Sequence, residues 1–335
     1  MQLQRRQFLL LAGSAAGAGW LQSQLIAEES ARKLQTVRQT ARALGTSVTI
    51  TALHENVITA ATAVHAAFAE LEVVESLMSI YRPESQLSQL NQNGRLDDPH
   101  PYLVAVLEAA ADMSRRTAGA FDITVQPLWQ LYQQAQQQNT LPTPRAIQQA
   151  RQQVDWRRLE VNPGSVRFLA SDTRVTLNGI AQGFAADAVS AVIQRHGVRH
   201  VLVDTGEFAG RGTNSLTEPW TIGIQHPRQE ESYLALARLT NRCLSTSGDY
   251  ATTFSADRKH HHIFDPRTGR SPEELASVSV VADTAMQADA LSTAVFVLGL
   301  EQGARLLQSL SGCEALLATK DGTIRATPGF PLEAT

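Results

Sequence analysis

The chain has 335 residues, 43% of them hydrophobic and 18% charged, enough apolar material for a sizeable core and too ordered a composition for a disordered tail. Its formal net charge of −3 leaves no basic footprint for nucleic acid. The two cysteines, Cys243 and Cys313, make no CxxC and no zinc-type cluster, so a thiolate metal site is disfavoured, while a single Cys243–Cys313 disulfide is compatible with the count. Arg5 and Arg6 precede an apolar, small-residue run from Phe8 to Leu21, shorter than the ~20 residues that span a bilayer. A basic start with a short apolar core reads as an export signal over residues 1–30. The paired arginines beside Phe8 and Leu9 point to the twin-arginine route, with an ordinary secretory signal or an uncleaved anchor as the alternative.

Residues 31–335 read as the working domain. Residues 45–53 alternate as a strand, and Val57, Ala61, Val64, Phe68, Leu71 and Leu77 mark an amphipathic helix over 56–78. A polar loop is expected to Gly94, then a helix over 101–117. The segment 119–132 reads as a loop entering a short helix, and the Gln-rich 133–141 as an exposed excursion and soft boundary. Thr143 and Pro144 start a helix that runs to about Val154. Short strands follow near 158–161, 166–169 and 174–178, then a helix from about 182 to His196, stopped by Gly197. HVLVD at 200–204 is a compact strand. The second half holds the strands WTIGIQ, YLALARL, RCLST and SVSVVAD, a helix over 285–298, and a hairpin at 316–327 turning at Asp321-Gly322. Strands and helices are mixed rather than strictly alternating, which predicts an α+β fold.

Four stretches carry candidate chemistry. In 285–299, Asp289 and Thr293 stand four apart on one helix, so a carboxylate and a hydroxyl share a face and offer hard oxygen ligands for Mg²⁺ or Ca²⁺. The plain alternative is a solvated acid, but the helix is apolar around it, and an acid there needs a partner. In HHHIFDPRTG, alternation lets one or two of His260, His261 and His262 face a site, as a general base or phosphate contact. LNGIAQGFAAD at 177–187 leads a strand through Gly179 and Gly183 into a helix N-terminus. That suits an anion, although close helix packing explains the glycines equally well. STSGDY and VDTGE end strands in small and hydroxyl residues, as phosphate-contacting loops or ordinary turns do. No G-x-S-x-G and no H-E-x-x-H occurs.

With LGTSVTI, LMSIYRPESQLSQLN, GAFDITVQPLW, NGIAQGFAAD, LVDTGE, STSGDY, HHIFDPRTG and ADALSTAVFVLG in this order, residues from about Gly45 to Gly299 resemble the FAD:protein FMN transferases of the ApbE family. The resemblance implies a T-fold-related architecture with the active site in a cleft between two halves. It implies FAD as substrate, Mg²⁺ as cofactor, and transfer of FMN to a Thr or Ser hydroxyl of a redox protein, such as a membrane-bound electron-transfer subunit, with AMP leaving. Carried over by motif, Asp289, Thr293 and the Gly179 carbonyl are metal ligands. Tyr81, Ala120, Phe121, Asp122, Thr176 and Gln182 fall at FAD-binding positions, and His262 is both FAD contact and proton acceptor. Thr176 and Gln182 stand where Asp and Lys are usual in the family, and Leu44 where Met precedes Gly45. The Gln form resembles the exported, NosX-like branch, which implies a periplasmic protein, soluble or held at the membrane by an uncleaved signal. Two other activities share the site: FAD pyrophosphatase, with water as acceptor, and a non-catalytic flavin-binding accessory role.

Overall fold

A computed structural model describes residues 34–215 and 217–333, so the export segment read at 1–30 lies outside the described residues. Eight strands form one sheet in the order β1-β2-β6-β7-β10-β11-β12-β13, every pairing antiparallel. These are β1 (Gln35–Ala43), β2 (Thr46–His54), β6 (His200–Asp204), β7 (Phe208–Arg211), β10 (Cys243–Gly248), β11 (Leu275–Ala282), β12 (Glu314–Thr319) and β13 (Ile324–Ala326). β3 (Arg95–Asp97), β4 (Leu159–Asn162) and β5 (Ser165–Phe168) make a small separate sheet, and β8 (Trp220–His226) pairs with β9 (Gln229–Leu239) as a ribbon.

The helices are α1 (Val57–Met78), α2 (Gln86–Asn93), α3 (Pro101–Arg116), α4 (Gln126–Gln137), α5 (Pro144–Arg151), α6 (Ala181–Arg195) and α7 (Ala285–Gln308). The apolar stripe of α1 (Val64, Leu71, Val74) joins α3, α6 and α7 over one face of the large sheet, against Val48, Ile50, Val201, Val203, Val278 and Val280. The opposite face carries Leu53, Leu244, Val281 and Leu316, covered by Trp220, Ile222 and Leu239 of the ribbon. Every residue of β11 is therefore buried, which is why its sequence is a continuous apolar and small run rather than an alternating one. A third cluster, Leu128, Tyr132, Ile147, Phe254 and Phe264, ties α4 and α5 to the loop after β10. The α+β architecture matches the reading from sequence.

Several local expectations are corrected. The polar stretch before Gly94 contains α2, capped by Ser85, whose hydroxyl accepts from Ser88 N at 3.0 Å, and closed by Gly94 at φ 72°. Leu87 and Leu90 alone supply its buried face, too few for a period to show. The Gln-rich stretch is exposed, but α4 continues through it to Gln137 before the loop begins. RVTLN at 174–178 joins no ladder. Its backbone is satisfied by the Asn91 side chain, which donates to Val175 O and accepts from Val175 N, both at 2.8 Å, and by Thr176 N donating to Ile123 O. α7 does break at Gly299, at φ 77°, but helix resumes to Gln308 because the Glu274 carboxylate accepts from Leu300 N and supplies a fresh cap. β1 carries no strand signal in the sequence, since most of its side chains are polar and exposed. Cys243 and Cys313 are both buried free thiols.

Candidate functional site

α6 begins at Ile180, whose side chain caps nothing, so its first N–H groups need an outside acceptor. Asp289 of α7 supplies it: Oδ2 accepts from Gly183 N at 3.0 Å. The service is returned. Asp187 of α6 accepts from Ala285 N and Met286 N, at 3.0 and 2.9 Å, in the first turn of α7. The two helices thus meet N-terminus to N-terminus, and each carries the carboxylate that satisfies the other's positive end. Gly183 permits the approach, since a Cβ there would lie 2.3 Å from Ala285 O and 2.8 Å from the Asp289 Cβ. Close packing is therefore the role of Gly183. Gly179 differs: a Cβ on it would sit 3.0 Å from Thr293 Oγ1 and 3.6 Å from both Phe121 and Thr293 Cβ, against side chains rather than backbone.

This crossing forms the floor of a cavity of about 870 Å³. All ten residues proposed from sequence line it: Tyr81, Ala120, Phe121, Asp122, Thr176, Gly179, Gln182, His262, Asp289 and Thr293. Asp289 is 4% exposed, and burial pushes its carboxyl up to about 7 against the single Gly183 N–H that favours the charge. Glu207, at the entry to β7, is 8% exposed and lines the same floor. Burial and then the nearby Asp289 charge hold its carboxyl well above the usual carboxylate range, and Thr246 N donates to its Oε2 at 3.2 Å. Thr293 Oγ1 lies 3.1 Å from Ser247 Oγ, which is 2.8 Å from Ser292 Oγ. Two buried carboxylates without an ion-pair partner among the described residues, beside a threonine hydroxyl and Gly179, offer hard oxygens of the kind a divalent cation takes. The residues fit Mg²⁺.

The histidine run resolves as alternation predicts. His261 turns into the core, fully buried and edge-on to Phe296, with Nε2–H donating to Pro272 O. Burial holds its imidazole down at about 4. His260 lies against Tyr132. His262 faces the cavity, and its Nδ1 is 3.2 Å from Thr252 O. A carbonyl only accepts, so Nδ1 carries the proton and Nε2 keeps its lone pair. Burial lowers the pKa of His262 as well, which keeps the ring neutral near pH 7.

Other sequence candidates have structural partners. Asp122 lines the cavity, but Oδ1 accepts from Thr124 N and Oγ1, and Oδ2 from Trp156 N, so it fixes the 3-10 turn Ile123–Val125 and the approach of residue 156. Burial raises its carboxyl to about 6. Gln182 Nε2 donates to Thr205 O at 3.1 Å while Thr205 Oγ1 donates back to Gln182 O at 3.1 Å, pinning the β6–β7 turn at Gly206, where φ is 93°. Thr176 Oγ1 accepts weakly from Asn178 N. Tyr81 stands 70% exposed at the rim, near Arg82, which is paired with Glu72 and Glu75. Glu207, Thr246, Ser247 and Gln126 were not singled out from sequence, although VDTGE and STSGDY contain the first three. Strand order, which brings β10 beside β7, is what assembles the first three.

Known proteins resemble the chain in sequence and in fold. The ApbE family profile matches residues 44–317. The FAD:protein FMN transferase of Salmonella typhimurium is 31% identical over 266 residues, covering 76% of this chain and 75% of the relative. That of Escherichia coli is 32% identical over the same shares. Among solved structures, the flavin transferase ApbE from Vibrio cholerae superposes with a TM-score of 0.78 at 26% identity, covering 89% of this chain and 98% of that one.

Proposed function

The chain belongs to the ApbE family of FAD:protein FMN transferases, and we propose that it moves FMN from FAD to a Thr or Ser hydroxyl of a redox protein in a Mg²⁺-dependent reaction that releases AMP. The observation that carries this reading is the floor of the cavity: Asp289, Glu207 and Thr293 gathered in a space of about 870 Å³, large enough for a dinucleotide. Asp289, Thr293 and Gly179 would hold the cation, with Glu207 beside them. Bound there, Mg²⁺ supplies charge neutralisation for the pyrophosphate.

The chain's own residues do the rest. His262 Nε2 takes the proton of the acceptor hydroxyl as its oxygen bonds to the FMN phosphorus. The phosphorus–oxygen bond to AMP breaks, and AMP departs with the bridging oxygen. The Thr252 carbonyl fixes the tautomer that makes Nε2 the base. Asp122 keeps the 120–125 segment in place along the cavity wall. Tyr81 at the open rim offers an aromatic face to a flavin ring. The paired arginines at the N-terminus support action after export, on an acceptor outside the cytoplasm.

One observation favours a second reading. Gln182 and Thr176 bring no charge to the cavity, and the Gln182 amide is held by the chain's own Thr205 carbonyl, as would suit a non-catalytic flavin carrier. One experiment separates the readings. Purified protein is incubated with FAD, Mg²⁺ and a candidate acceptor domain, with flavin fluorescence read on a denaturing gel and AMP measured. Transfer gives a fluorescent acceptor band plus AMP. AMP with free FMN and no band marks a pyrophosphatase. Bound FAD with no AMP marks a carrier and overturns the proposal.

A further inference from the structure

Asp249 follows the last residue of β10 and is fully buried. Its carboxylate meets two cations. Arg228, in the turn of the β8–β9 ribbon, grips both oxygens, Nη1 donating to Oδ1 at 2.7 Å and Nη2 to Oδ2 at 2.8 Å. Lys320, just past β12, brings Nζ within 3.6 Å of Oδ2. Both cations are themselves anchored: Arg228 Nη1 donates to Pro227 O at 2.9 Å, and Lys320 Nζ to Arg258 O at 3.1 Å. A buried carboxylate held from two sides by charged partners fixes the backbone it belongs to. That backbone is one wall of the cavity. Asp249 N donates to Ala276 O at 3.0 Å, and between these two residues the chain leaves the sheet and carries Ala251, Thr252, His262 and Phe264 along the cavity.

We infer that Asp249 is a positioning residue for the transfer reaction: clamped between Arg228 and Lys320, it sets the Thr252 carbonyl that orients His262. This inference rests on the flavin-transfer reading given above, with His262 as the base. Thr252 is three residues from Asp249, and its carbonyl takes both the His262 backbone N–H, at 3.1 Å, and the ring Nδ1–H, at 3.2 Å. The clamp also grips the middle of the loop, because Arg258, whose carbonyl receives the Lys320 ammonium, donates Nη1 to Pro227 O at 2.9 Å. The Asp249 charge bears on the imidazole as well. Burial lowers the proton affinity of His262, and the Thr252 carbonyl and the Asp249 charge oppose that loss. A base displaced by about 1 Å can cost about 10²-fold in rate. Asp289 and Thr293, at the cavity floor, belong to α7 and not to this loop. Loosening the clamp is therefore felt in turnover rather than in FAD binding.

The test is kinetic, on the full chain with saturating Mg²⁺ and acceptor. Asp249→Asn and Arg228→Gln break the clamp from its two sides. The Arg228 side chain is 34% exposed, so Arg228→Gln decides the matter alone if the buried Asp249→Asn fails to fold, which thermal unfolding reports. For each variant, kcat is measured alongside FAD affinity by fluorescence quenching, first alone and then combined with His262→Gln. The expected result is a kcat lower by about 10- to 10²-fold, with FAD affinity within threefold of native. Added to His262→Gln, the same substitution should lower kcat by less than a further twofold, because the group it positions is already gone. An unchanged kcat, an FAD affinity that falls as far as kcat, or the same fold-loss with and without His262 overturns the inference. A native chain that transfers no flavin, or a His262→Gln chain as fast as native, overturns instead the reading on which the inference rests.

Discussion

Replacing Gly183 by alanine tests whether the α6–α7 crossing builds the site. The new Cβ would stand 2.3 Å from Ala285 O, and ordinary contact begins near 3.4 Å, so the helices must part by about 1 Å. The obstacle is backbone, which cannot rotate away. Overpacking of this kind costs about 1–3 kcal/mol. The same movement stretches the 3.0 Å bond from Gly183 N to Asp289 beyond hydrogen-bonding reach, a charged bond contributing about 1.5–3 kcal/mol. Better helix propensity returns about 1 kcal/mol. The net is a loss of about 2–5 kcal/mol, or roughly 5–10 °C in melting temperature for a chain of this size. Gly179→Ala is the control. The nearest atoms to its Cβ are the Thr293 hydroxyl, at 3.0 Å, and Phe121 and Thr293 Cβ, both at 3.6 Å, all side-chain atoms, so a few tenths of an ångström suffice and stability should change by less than about 1 kcal/mol. Its methyl group nevertheless enters the oxygen cluster, and transfer activity should fall sharply. Thermal unfolding followed by circular dichroism, with the flavin-transfer assay in parallel, reads both. A Gly183→Ala protein melting within 2 °C of native, or equal stability losses at the two glycines, would refute the argument.

Asp187→Asn leaves one acceptor for the two N–H groups of Ala285 and Met286. It should cost about 1–3 kcal/mol in denaturant unfolding and weaken the thermal stabilisation produced by Mg²⁺. His262→Gln should lower the transfer rate by about 10²- to 10⁴-fold while FAD affinity, measured by fluorescence, stays within a few-fold of native; a comparable fall in affinity would deny it the role of base. His261 is held neutral at about 4 in the folded state, against an ordinary 6.5. Between those values the unfolded chain takes up a proton that the folded chain refuses. Stability should therefore be complete above pH 6.5, fall by about 3 kcal/mol as pH drops to 4, and change no further from this group below that. His261→Gln should flatten that slope in urea titrations, and an unaltered slope would rule His261 out as its source.

The sequence reached furthest where chemistry and period lie in one segment. Asp289 and Thr293 are a helical turn apart, so their shared face needed no tertiary knowledge. Histidine alternation separated His261 from His262 for the same reason. What escaped depended on partners distant in the chain. Glu207 becomes a floor residue only because β10 pairs with β7 and delivers Thr246 N to it. The 174–178 segment has strand composition, yet Asn91, far away on α2, takes the place of a ladder. The Gly183 and Gly179 signals looked alike in sequence, and only the positions of Ala285 O and Thr293 Oγ1 distinguish a packing glycine from a cradle glycine.

The charges lining the cavity bear on how cation and nucleotide bind. Glu75, Asp122, Glu207 and Asp289 are acidic, whereas the only cationic or titratable bases lining it among the described residues are Arg82, already paired with Glu72 and Glu75, and His262, which burial keeps neutral. Burial holds the Asp289 and Glu207 carboxyls toward the neutral form, so the floor offers a pyrophosphate no free lysine or arginine and, wherever those carboxyls ionise, a like charge that a buried site screens poorly. On the proposed Mg²⁺ reading, the cation would serve binding as well as the chemical step. By linkage, whatever factor Mg²⁺ adds to FAD affinity, FAD adds equally to Mg²⁺ affinity. Titrating FAD with and without Mg²⁺, and Mg²⁺ with and without a non-transferable FAD analogue, should give the same factor, at least tenfold. Asp289→Asn should reduce it, because the variant removes both the cation's anchor and the charge that opposes the phosphates. FAD binding equally tight in the presence of chelator would show that the floor does not face the pyrophosphate, and the proposed orientation of the dinucleotide would fail with it.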